Sequence, residues 1–228
     1  RTSRSSALAS KATGFPIALV SAMLATGLTL KDIPCGKYGT LDKYVPGGDY
    51  VVIKFARWAF EKFKGVEDKL GTQMRAVGEV MSIGKTYKEA FQKAIRSLET
   101  GRYGLGHAKD FDTKTKEELL KMLITASSER HFIMYEALRK GATIEEIYNL
   151  TKVKHYFIEQ MKELVEEEEA LAAHKGVLPS DEALISAKKN GFSDKYLGQI
   201  LDLTETEIRE KRISIGMEEA WEGVHVSG

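Results

Sequence analysis

The first fourteen residues of the chain read Arg1-Thr2-Ser3-Arg4-Ser5-Ser6-Ala7-Leu8-Ala9-Ser10-Lys11-Ala12-Thr13-Gly14. A hydroxyl-rich beginning, apolar residues at helical spacing and a closing glycine predict a short helix. Arg1 and Arg4 lie three residues apart, so both guanidinium groups and the local backbone amides could bind one anion at a helix N-terminus. From spacing alone, two solvated arginines at a helix end are the commoner arrangement.

The composition is that of a soluble globular protein. The chain has 228 residues, of which 43% are hydrophobic and 29% charged. The most apolar run, residues 15–30, is interrupted by Ser21, Thr26 and Thr29, and it falls short of the about 18 to 20 apolar residues that a membrane span needs. We therefore expect no membrane partner. The single cysteine, Cys35, excludes an internal disulfide and a cysteine zinc site, which favours a cytoplasmic location or a reducing organelle.

The two halves of the chain carry opposite net charges. Residues 1–99 contain 16 Lys and Arg against 9 Asp and Glu, whereas residues 100–228 contain 18 against 24. The glycine-rich segment at residues 100–106 lies at this change. We therefore predict an α+β fold with two domains, an α+β domain at residues 1–100 and a helical domain at residues 101–228.

The first half mixes helix and strand signals. The opening helix is expected to end at Gly14, and a second helix, with Pro16 in its first turn, is expected to end at Gly27. Two β-branched runs, residues 50–55 and 76–84, predict strands that pair. A capping box of Thr86 and Glu89 predicts a helix over residues 87–98.

The second half predicts almost only helices. We expect them at residues 115–126, 130–139 and 153–173, with two similar helical hairpins at residues 141–151 and 191–204. Hydroxyl side chains should cap the helices of these hairpins; they are Thr143, Thr151, Ser193 and Thr204. The acidic run Glu166 to Glu169 is interpreted as a solvated helix face.

Three further stretches, together with the first fourteen residues, form a pattern that can be compared with known protein families. They are Gly71-Thr72-Gln73-Met74-Arg75-Ala76-Val77-Gly78-Glu79-Val80-Met81-Ser82-Ile83-Gly84, Asp49-Tyr50-Val51-Val52-Ile53-Lys54-Phe55-Ala56-Arg57-Trp58 and Phe60-Glu61-Lys62-Phe63. Together with the opening, they make the chain resemble the large chain of carbamoyl-phosphate synthase. That family has Asn-Pro before Arg1 and a proline at Ala56. The resemblance is looser in residues 132–141 and 158–169, and residues 216–227 depart from the family pattern.

The resemblance implies a fold and a reaction. The expected fold is the C-terminal piece of an ATP-grasp domain, the carboxyphosphate-forming unit, followed by a helical oligomerisation domain. The expected activity is an ATP-dependent ligase that makes carbamoyl phosphate from bicarbonate, ammonia taken from glutamine, and ATP, for arginine and pyrimidine synthesis. Arg1 and Arg4 would then be catalytic residues that stabilise the bicarbonate and carboxyphosphate anions, and Ser5 and Val80 would border the carbamate tunnel.

The same resemblance implies cofactors and partners. ATP with Mg or Mn would act in the complete enzyme, whose binding residues would lie mostly upstream of Arg1, so we assign no cofactor or metal ligand within this segment. The partners would be the remainder of the large chain, a glutaminase small subunit and further copies of the chain. Because the nucleotide and metal ligands would be missing, we expect the segment alone to be inactive.

A helical regulatory or interaction module is the alternative function. Its hairpins superficially resemble helix-turn-helix DNA-binding motifs. The net charge of −6 over residues 100–228 argues against a phosphate-binding surface, and Lys and Arg do not concentrate on the second helix of either hairpin. We therefore expect no nucleic-acid partner. The five histidines lack zinc-site spacing; they are His107, His131, His155, His174 and His225.

Overall fold

The computed structural model describes residues 3–62, 64–107, 111–219 and 223–224, except for the side chains of Arg4 and Glu61. Its contacts divide the chain into two compact units. One unit comprises Arg1–Tyr50 with Ala220–Gly228, and the other comprises Val51–Glu219. The described residues form helices and small antiparallel sheets, and the predicted α+β class is therefore confirmed.

The first unit begins with the two predicted helices, α1 (Arg4–Thr13) and α2 (Ile17–Ala25). Gly14 ends α1 with a positive φ of 73°, and its amide donates to the Ser10 carbonyl at 2.8 Å. Pro16 takes the N-cap position of α2, where its missing amide hydrogen is not needed. The amide of Ile17 donates to Ser10 Oγ at 3.2 Å, so the two helices are joined at a tight corner.

Between α2 and Tyr50 the first unit has little regular structure. A minimal sheet pairs β1 (Pro34–Cys35) with β2 (Gly39–Thr40) in antiparallel fashion. The Tyr50 hydroxyl donates to the Ala12 carbonyl at 2.8 Å and so ties the end of the unit to α1. In α2 all described side chains are at least partly exposed, although the helix is strongly apolar.

Among the described helices, none is by itself long and apolar enough to cross a membrane. Ser5–Thr13 and Ile17–Ala25 reach the required length and hydropathy only when they are taken together, and they are bent by 117°.

The second unit begins with the predicted strand pair. Strand β3 (Val51–Trp58) pairs antiparallel with β4 (Ala76–Gly84), with Val51 opposite Gly84 and a bulge next to Trp58. Helix α3 (Tyr87–Ser97) packs on this sheet. Ser82 Oγ donates to the Ala90 carbonyl at 2.6 Å, and a side chain at Gly84 would lie 2.7 Å from the Ala90 amide nitrogen. The glycine that ends β4 therefore permits the close approach of α3.

Seven further α-helices lie in the described part of the second unit. They are α4 (Lys116–Met122), α5 (Arg130–Arg139), α6 (Ile144–Thr151), α7 (His155–Ala172), α8 (Asp181–Lys189), α9 (Asp194–Leu201) and α10 (Glu205–Ser214). Each predicted helix is present, and α4 ends four residues earlier than residue 126. The segments predicted as hairpins, residues 141–151 and 191–204, each contain a single helix, α6 and α9, which packs against the helix that follows it, α7 and α10 respectively. Gly141 and Gly191, which precede α6 and α9, adopt the same φ of 92°.

One hydrophobic core joins residues on both sides of residue 100. Phe91 and Ile95 precede this position, Leu119 and Phe132 follow it, and all four are buried in one cluster. Across the same core, Arg96 Nη1 donates to the Gly191 carbonyl at 2.8 Å. The compact unit thus begins at Val51, while the proposed division into domains at residues 1–100 and 101–228 stays a prediction.

The helix caps follow the sequence in most places. The side chains of Thr143, Ser193 and Thr204 accept the amides of Glu146, Tyr196 and Glu207, respectively. The expectation for Thr151 is wrong in part, because it is the last residue of α6 instead of a cap of α7. Its hydroxyl donates to the Ile147 carbonyl and accepts from the Val153 amide. Lys154 stands at the N-cap of α7.

The capping box predicted before α3 forms only in half. Thr86 Oγ1 accepts the Glu89 amide at 3.2 Å, as expected. The Glu89 carboxylate does not return to Thr86 but accepts the Lys85 amide at 2.7 Å and pairs with Lys93 at 2.5 Å. The Thr86 hydroxyl is therefore the cap of α3, while the Glu89 carboxylate binds the amide of the residue before this cap.

Candidate functional site

The predicted anion site begins at the N-terminus of α1. Arg1 lies outside the described residues, and Arg4 is the first residue of α1 with a side chain that also lies outside them. Ser3 is the N-cap, and its carbonyl accepts the amides of Ser6 and Ala7 at 3.0 and 3.2 Å. The first turn of α1 contains no acidic residue. The partial positive charge of the helix terminus is therefore not neutralised by its own first turn.

The other two predicted site residues lie in different units. Ser5 is in the first turn of α1 and is exposed. Val80 is opposite Phe55 in the β3–β4 pair, is half-buried and packs against the core of the second unit. On the neighbouring position, Glu79 forms an ion pair with Lys54 at 2.7 Å. Val80 therefore contributes to a packed strand, and its place beside the carbamate tunnel stays a prediction.

The described residues offer no set of three or more His, Cys, Asp or Glu side chains that could hold a metal ion. A metal required by the expected reaction therefore finds no fitting ligand set in the described part of the chain, and we derive no step through one.

The structure reveals a buried ionic network that the sequence did not predict. Glu168 on α7 is 1% exposed and is the centre of this network. Its carboxylate accepts hydrogen bonds from Arg139 on α5 and from the hydroxyl of Tyr196 on α9. The Tyr196 oxygen in turn accepts the Gly106 amide at 2.9 Å. Three helices and the glycine-rich loop thus meet at one carboxylate.

Further charges surround Arg139. Its Nη1 donates to Glu169 Oε1 at 2.6 Å, and its Nε lies 3.2 Å from Glu136 Oε2. Burial alone would lower the pKa of Arg139, but the adjacent carboxylates, Glu168 foremost, raise it above its usual value. Arg139 therefore stays charged, which is the condition under which a buried carboxylate is tolerated.

The buried network also raises the pKa values of two tyrosines. Burial, reinforced by the charge of Glu168, raises the pKa of Tyr196 well above its usual value. Burial also raises the pKa of Tyr135, and the proximity of Tyr196 and Glu168 adds to this effect. Both phenols therefore stay neutral over the accessible pH range and act as hydrogen-bond donors.

The interpretation of Glu166 to Glu169 as a solvated face is wrong for one residue of the four. Glu168 follows Met161, Leu164 and Val165 at the three- and four-residue spacing of a helix face, and these three side chains are buried. This spacing in the sequence was the signal that could have placed Glu168 on the buried face of α7. The sequence contained no comparable signal for its partners.

The loop at residues 100–106 is also more than a linker. A side chain on Gly104 would collide with the ring of Tyr196, and one on Gly106 would come within 2.8 Å of the Tyr196 hydroxyl, Arg139 Nη2 and Glu168 Oε1. Leu105 between them is buried. These glycines are required for close packing, because any Cβ would displace the ionic network.

Two family models match the chain. The oligomerisation domain of the carbamoyl-phosphate synthetase large chain matches residues 79–216, and the ATP binding domain of the carbamoyl-phosphate synthase L chain matches residues 1–33. The chain therefore belongs to the carbamoyl-phosphate synthase large-chain family. The resemblance noted from the sequence is confirmed.

Individual relatives agree with the family match. The chain is 48% identical over 223 residues to the carbamoyl phosphate synthase large chain of Archaeoglobus fulgidus, covering 95% of this chain and 21% of the relative. It is 42% identical to the N-terminal section of that chain in Methanopyrus kandleri, covering 96% and 41%. It is 46% identical to the arginine-specific, chloroplastic large chain of Arabidopsis thaliana, covering 95% and 18%. The chain thus spans between about a fifth and two fifths of these relatives.

Proposed function

We propose that this chain is a segment of the ligase that makes carbamoyl phosphate from bicarbonate, glutamine-derived ammonia and ATP for arginine and pyrimidine synthesis. The observation that carries the proposal is the start of α1, where the stretch matched by the ATP-binding family begins a helix without acidic residues in its first turn. A helix N-terminus of this kind attracts anions through its dipole.

Within this function, each predicted site residue has a role. Arg1 and Arg4 would stabilise the negative charge that develops when bicarbonate is phosphorylated. Ser5 and Val80 would border the route by which carbamate leaves. ATP and a divalent metal, Mg or Mn, would be bound by the remainder of the large chain, and the metal would neutralise phosphate charge. A glutaminase subunit would supply the ammonia.

The test is carried out in the complete large chain that contains these residues. Arg4→Ala should lower bicarbonate-dependent ATP hydrolysis by roughly 10² or more, the loss expected for a preorganised donor to developing charge. Lys11→Ala, in the last turn of the same helix, is the matched control and should stay within about twofold of the parent enzyme. A near-normal rate for Arg4→Ala would remove the anion-binding role. The 228-residue segment alone should not hydrolyse ATP in response to bicarbonate.

The second part of the proposal is self-association of the helical half. Many apolar residues of α5 and α7 lie in the unit's own core and are not available for self-association; they are Phe132, Ile133, Tyr135, Ile158, Met161, Leu164, Val165 and Leu171. Exposed apolar surface does remain after α7, where Val177 and Leu178 are 62% and 44% exposed. They border a cavity of about 570 Å³ between α7 and α8. A second copy of the chain is the occupant that the matched oligomerisation family favours.

Sedimentation of the 228-residue chain tests this part. A dimer or larger species should persist at high salt, because screening weakens exposed charge pairs and leaves apolar burial intact. Leu178→Asp should shift the chain to monomer, whereas the exposed Lys175→Asp should not. A strictly monomeric parent chain at high concentration would contradict self-association. We also propose a cytoplasmic location, with an organelle as the alternative, which fractionation of the source cells would test.

A further inference from the structure

Another cavity of the second unit has the features of a small-molecule site. Its volume is about 510 Å³, within the usual range of ligand pockets. It lies against Ile53 to Ala56 of β3 and against the first turns of α5 and α7. None of the residues at the proposed bicarbonate site lines it.

Aromatic rings form one wall of this cavity. Phe55, Phe91 and His131 contact one another, with ring centroids 5.2 to 6.0 Å apart. Tyr87 stacks on Phe91 at 5.5 Å with an interplanar angle of 13°, and Phe157 contacts Tyr87 at 5.3 Å. This wall offers flat apolar surface, on which a planar ring can stack.

The charged side chains that line the cavity are all cationic. Lys54, Arg130 and Lys154 line it, and no aspartate or glutamate is among its lining residues. Lys54 is already paired with Glu79. Within the described ranges, Arg130 and Lys154 have no carboxylate within ion-pair distance.

His131 does not add to this charge. Burial, with a smaller contribution from the adjacent Arg130, lowers the pKa of His131 to about 4. At neutral pH its imidazole is therefore uncharged and can accept or donate one hydrogen bond inside the cavity. The unbalanced positive charge belongs to Arg130 and Lys154.

We propose that this cavity binds a small organic anion in which an acidic group is attached to a planar aromatic ring. The ring would stack on the wall formed by Phe91, Tyr87 and Phe157, while the acidic group would pair with Arg130 and Lys154. An inorganic anion would leave the aromatic wall unused, and a neutral aromatic would leave both cations unpaired. The proposed site is separate from bicarbonate activation and does not depend on it.

The test uses two probes of nearly the same shape on the 228-residue chain. 8-Anilinonaphthalene-1-sulfonate carries the acidic group, and N-phenyl-1-naphthylamine lacks it. Trp58 lines the cavity and can transfer excitation energy to either probe; in a Trp221→Phe background it is the single tryptophan. We expect one sulfonate bound per chain, with quenching of Trp58, and with an affinity at least about tenfold above that of the neutral probe, as one charge-assisted hydrogen bond provides.

Charge variants then identify the cations. In the double variant Arg130→Gln with Lys154→Gln, sulfonate affinity should fall by about tenfold or more, while binding of the neutral probe should change by less than about twofold. Lys189→Gln, at the exposed end of α8, is the matched control for loss of positive charge. Equal affinity for both probes in the parent chain, or unchanged sulfonate affinity in the double variant, would overturn the proposal.

A third variant keeps the proposal testable if the double variant does not fold. Ala56→Leu adds three carbons to a residue of β3 that lines the cavity and leaves both cations in place. It should abolish the binding of both probes in a chain that retains its helical circular dichroism. Undiminished sulfonate binding by a folded Ala56→Leu chain would show that the probe binds elsewhere and would overturn the proposal.

Discussion

The hydroxyl of Tyr196 donates a hydrogen bond to Oε1 of Glu168, and both residues are 1% exposed. The contact joins α9 to α7, and the Gly106 amide adds the preceding loop to the same phenol oxygen. Arg139 on α5 balances the charge of Glu168. The second unit therefore contains a buried polar centre that joins three of its helices, and the stability of this unit should respond to each member of the centre.

Replacement of Gly104 should destabilise the chain. In Gly104→Ala the new methyl group meets the Tyr196 ring at a distance that real Cβ atoms do not adopt, so the ring or the loop must move. We expect a loss of about 1 to 3 kcal/mol in the free energy of unfolding, as for overpacked cores. Gly71→Ala is the matched control, because nothing lies within 4 Å of its added methyl group. Chemical denaturation of both variants makes the measurement, and equal midpoints would contradict the packing argument.

Removal of the buried negative charge should also be costly. Glu168→Gln keeps the shape of the side chain but leaves the guanidinium of Arg139 without its most buried partner. We expect a loss of about 3 kcal/mol in the free energy of unfolding, because half of a buried ion pair is left behind. Glu166→Gln, two residues earlier on the same helix and with its side chain 65% exposed, is the control and should change stability by less than about 0.5 kcal/mol. Similar unfolding curves for the two variants would refute the central role of Glu168.

The lowered pKa of His131 leads us to expect that the stability of the chain depends on pH in a specific way. Its pKa is about 4 in the folded chain against 6.5 for an unperturbed histidine. As pH falls below 6.5, the unfolded chain binds the proton first, so the free energy of unfolding decreases until about pH 4 and is fully retained above pH 6.5. The decrease should reach about 3 kcal/mol.

The measurement compares unfolding at pH 7 and pH 4.5 in the parent chain and in His131→Phe. Carboxylates contribute to both proteins, so the difference between them isolates the imidazole. The variant should lose less stability on acidification than the parent, whereas the exposed His174→Gln should behave like the parent. An equal acid sensitivity of His131→Phe and the parent would argue against a neutral buried imidazole.

Each helix cap should contribute measurably to the free energy of unfolding. Thr204 accepts the Glu207 amide, and its own amide donates to the Glu207 carboxylate at 2.8 Å. Thr204→Ala should therefore reduce the free energy of unfolding by about 1 kcal/mol. Thr204→Ser retains the hydroxyl and should recover most of this loss. If the serine variant were as unstable as the alanine variant, packing of the threonine methyl group and not the cap would be responsible.

Local structure was largely predictable from the sequence. The strands at Val51–Trp58 and Ala76–Gly84, the helix Arg130–Arg139 and the caps at Thr143 and Thr204 follow from short-range patterns. Such patterns depend on backbone periodicity and on side chains within four residues of each other, and both can be read along the chain. The motif at the start of the chain likewise identified the family before any contact was known.

The partners of the buried polar residues, in contrast, depend on contacts between distant parts of the chain. Glu168 pairs with Arg139, 29 residues away, and with Tyr196, 28 residues away, and the Gly106 amide reaches Tyr196 across 90 residues. A carboxylate in an acidic run is normally solvated, and only the closing of α5, α7 and α9 around it removes water and makes the ion pair necessary. The aromatic, cationic cavity beside β3 has the same origin, because its wall combines residues from Ile53 to Met161 that no local pattern connects.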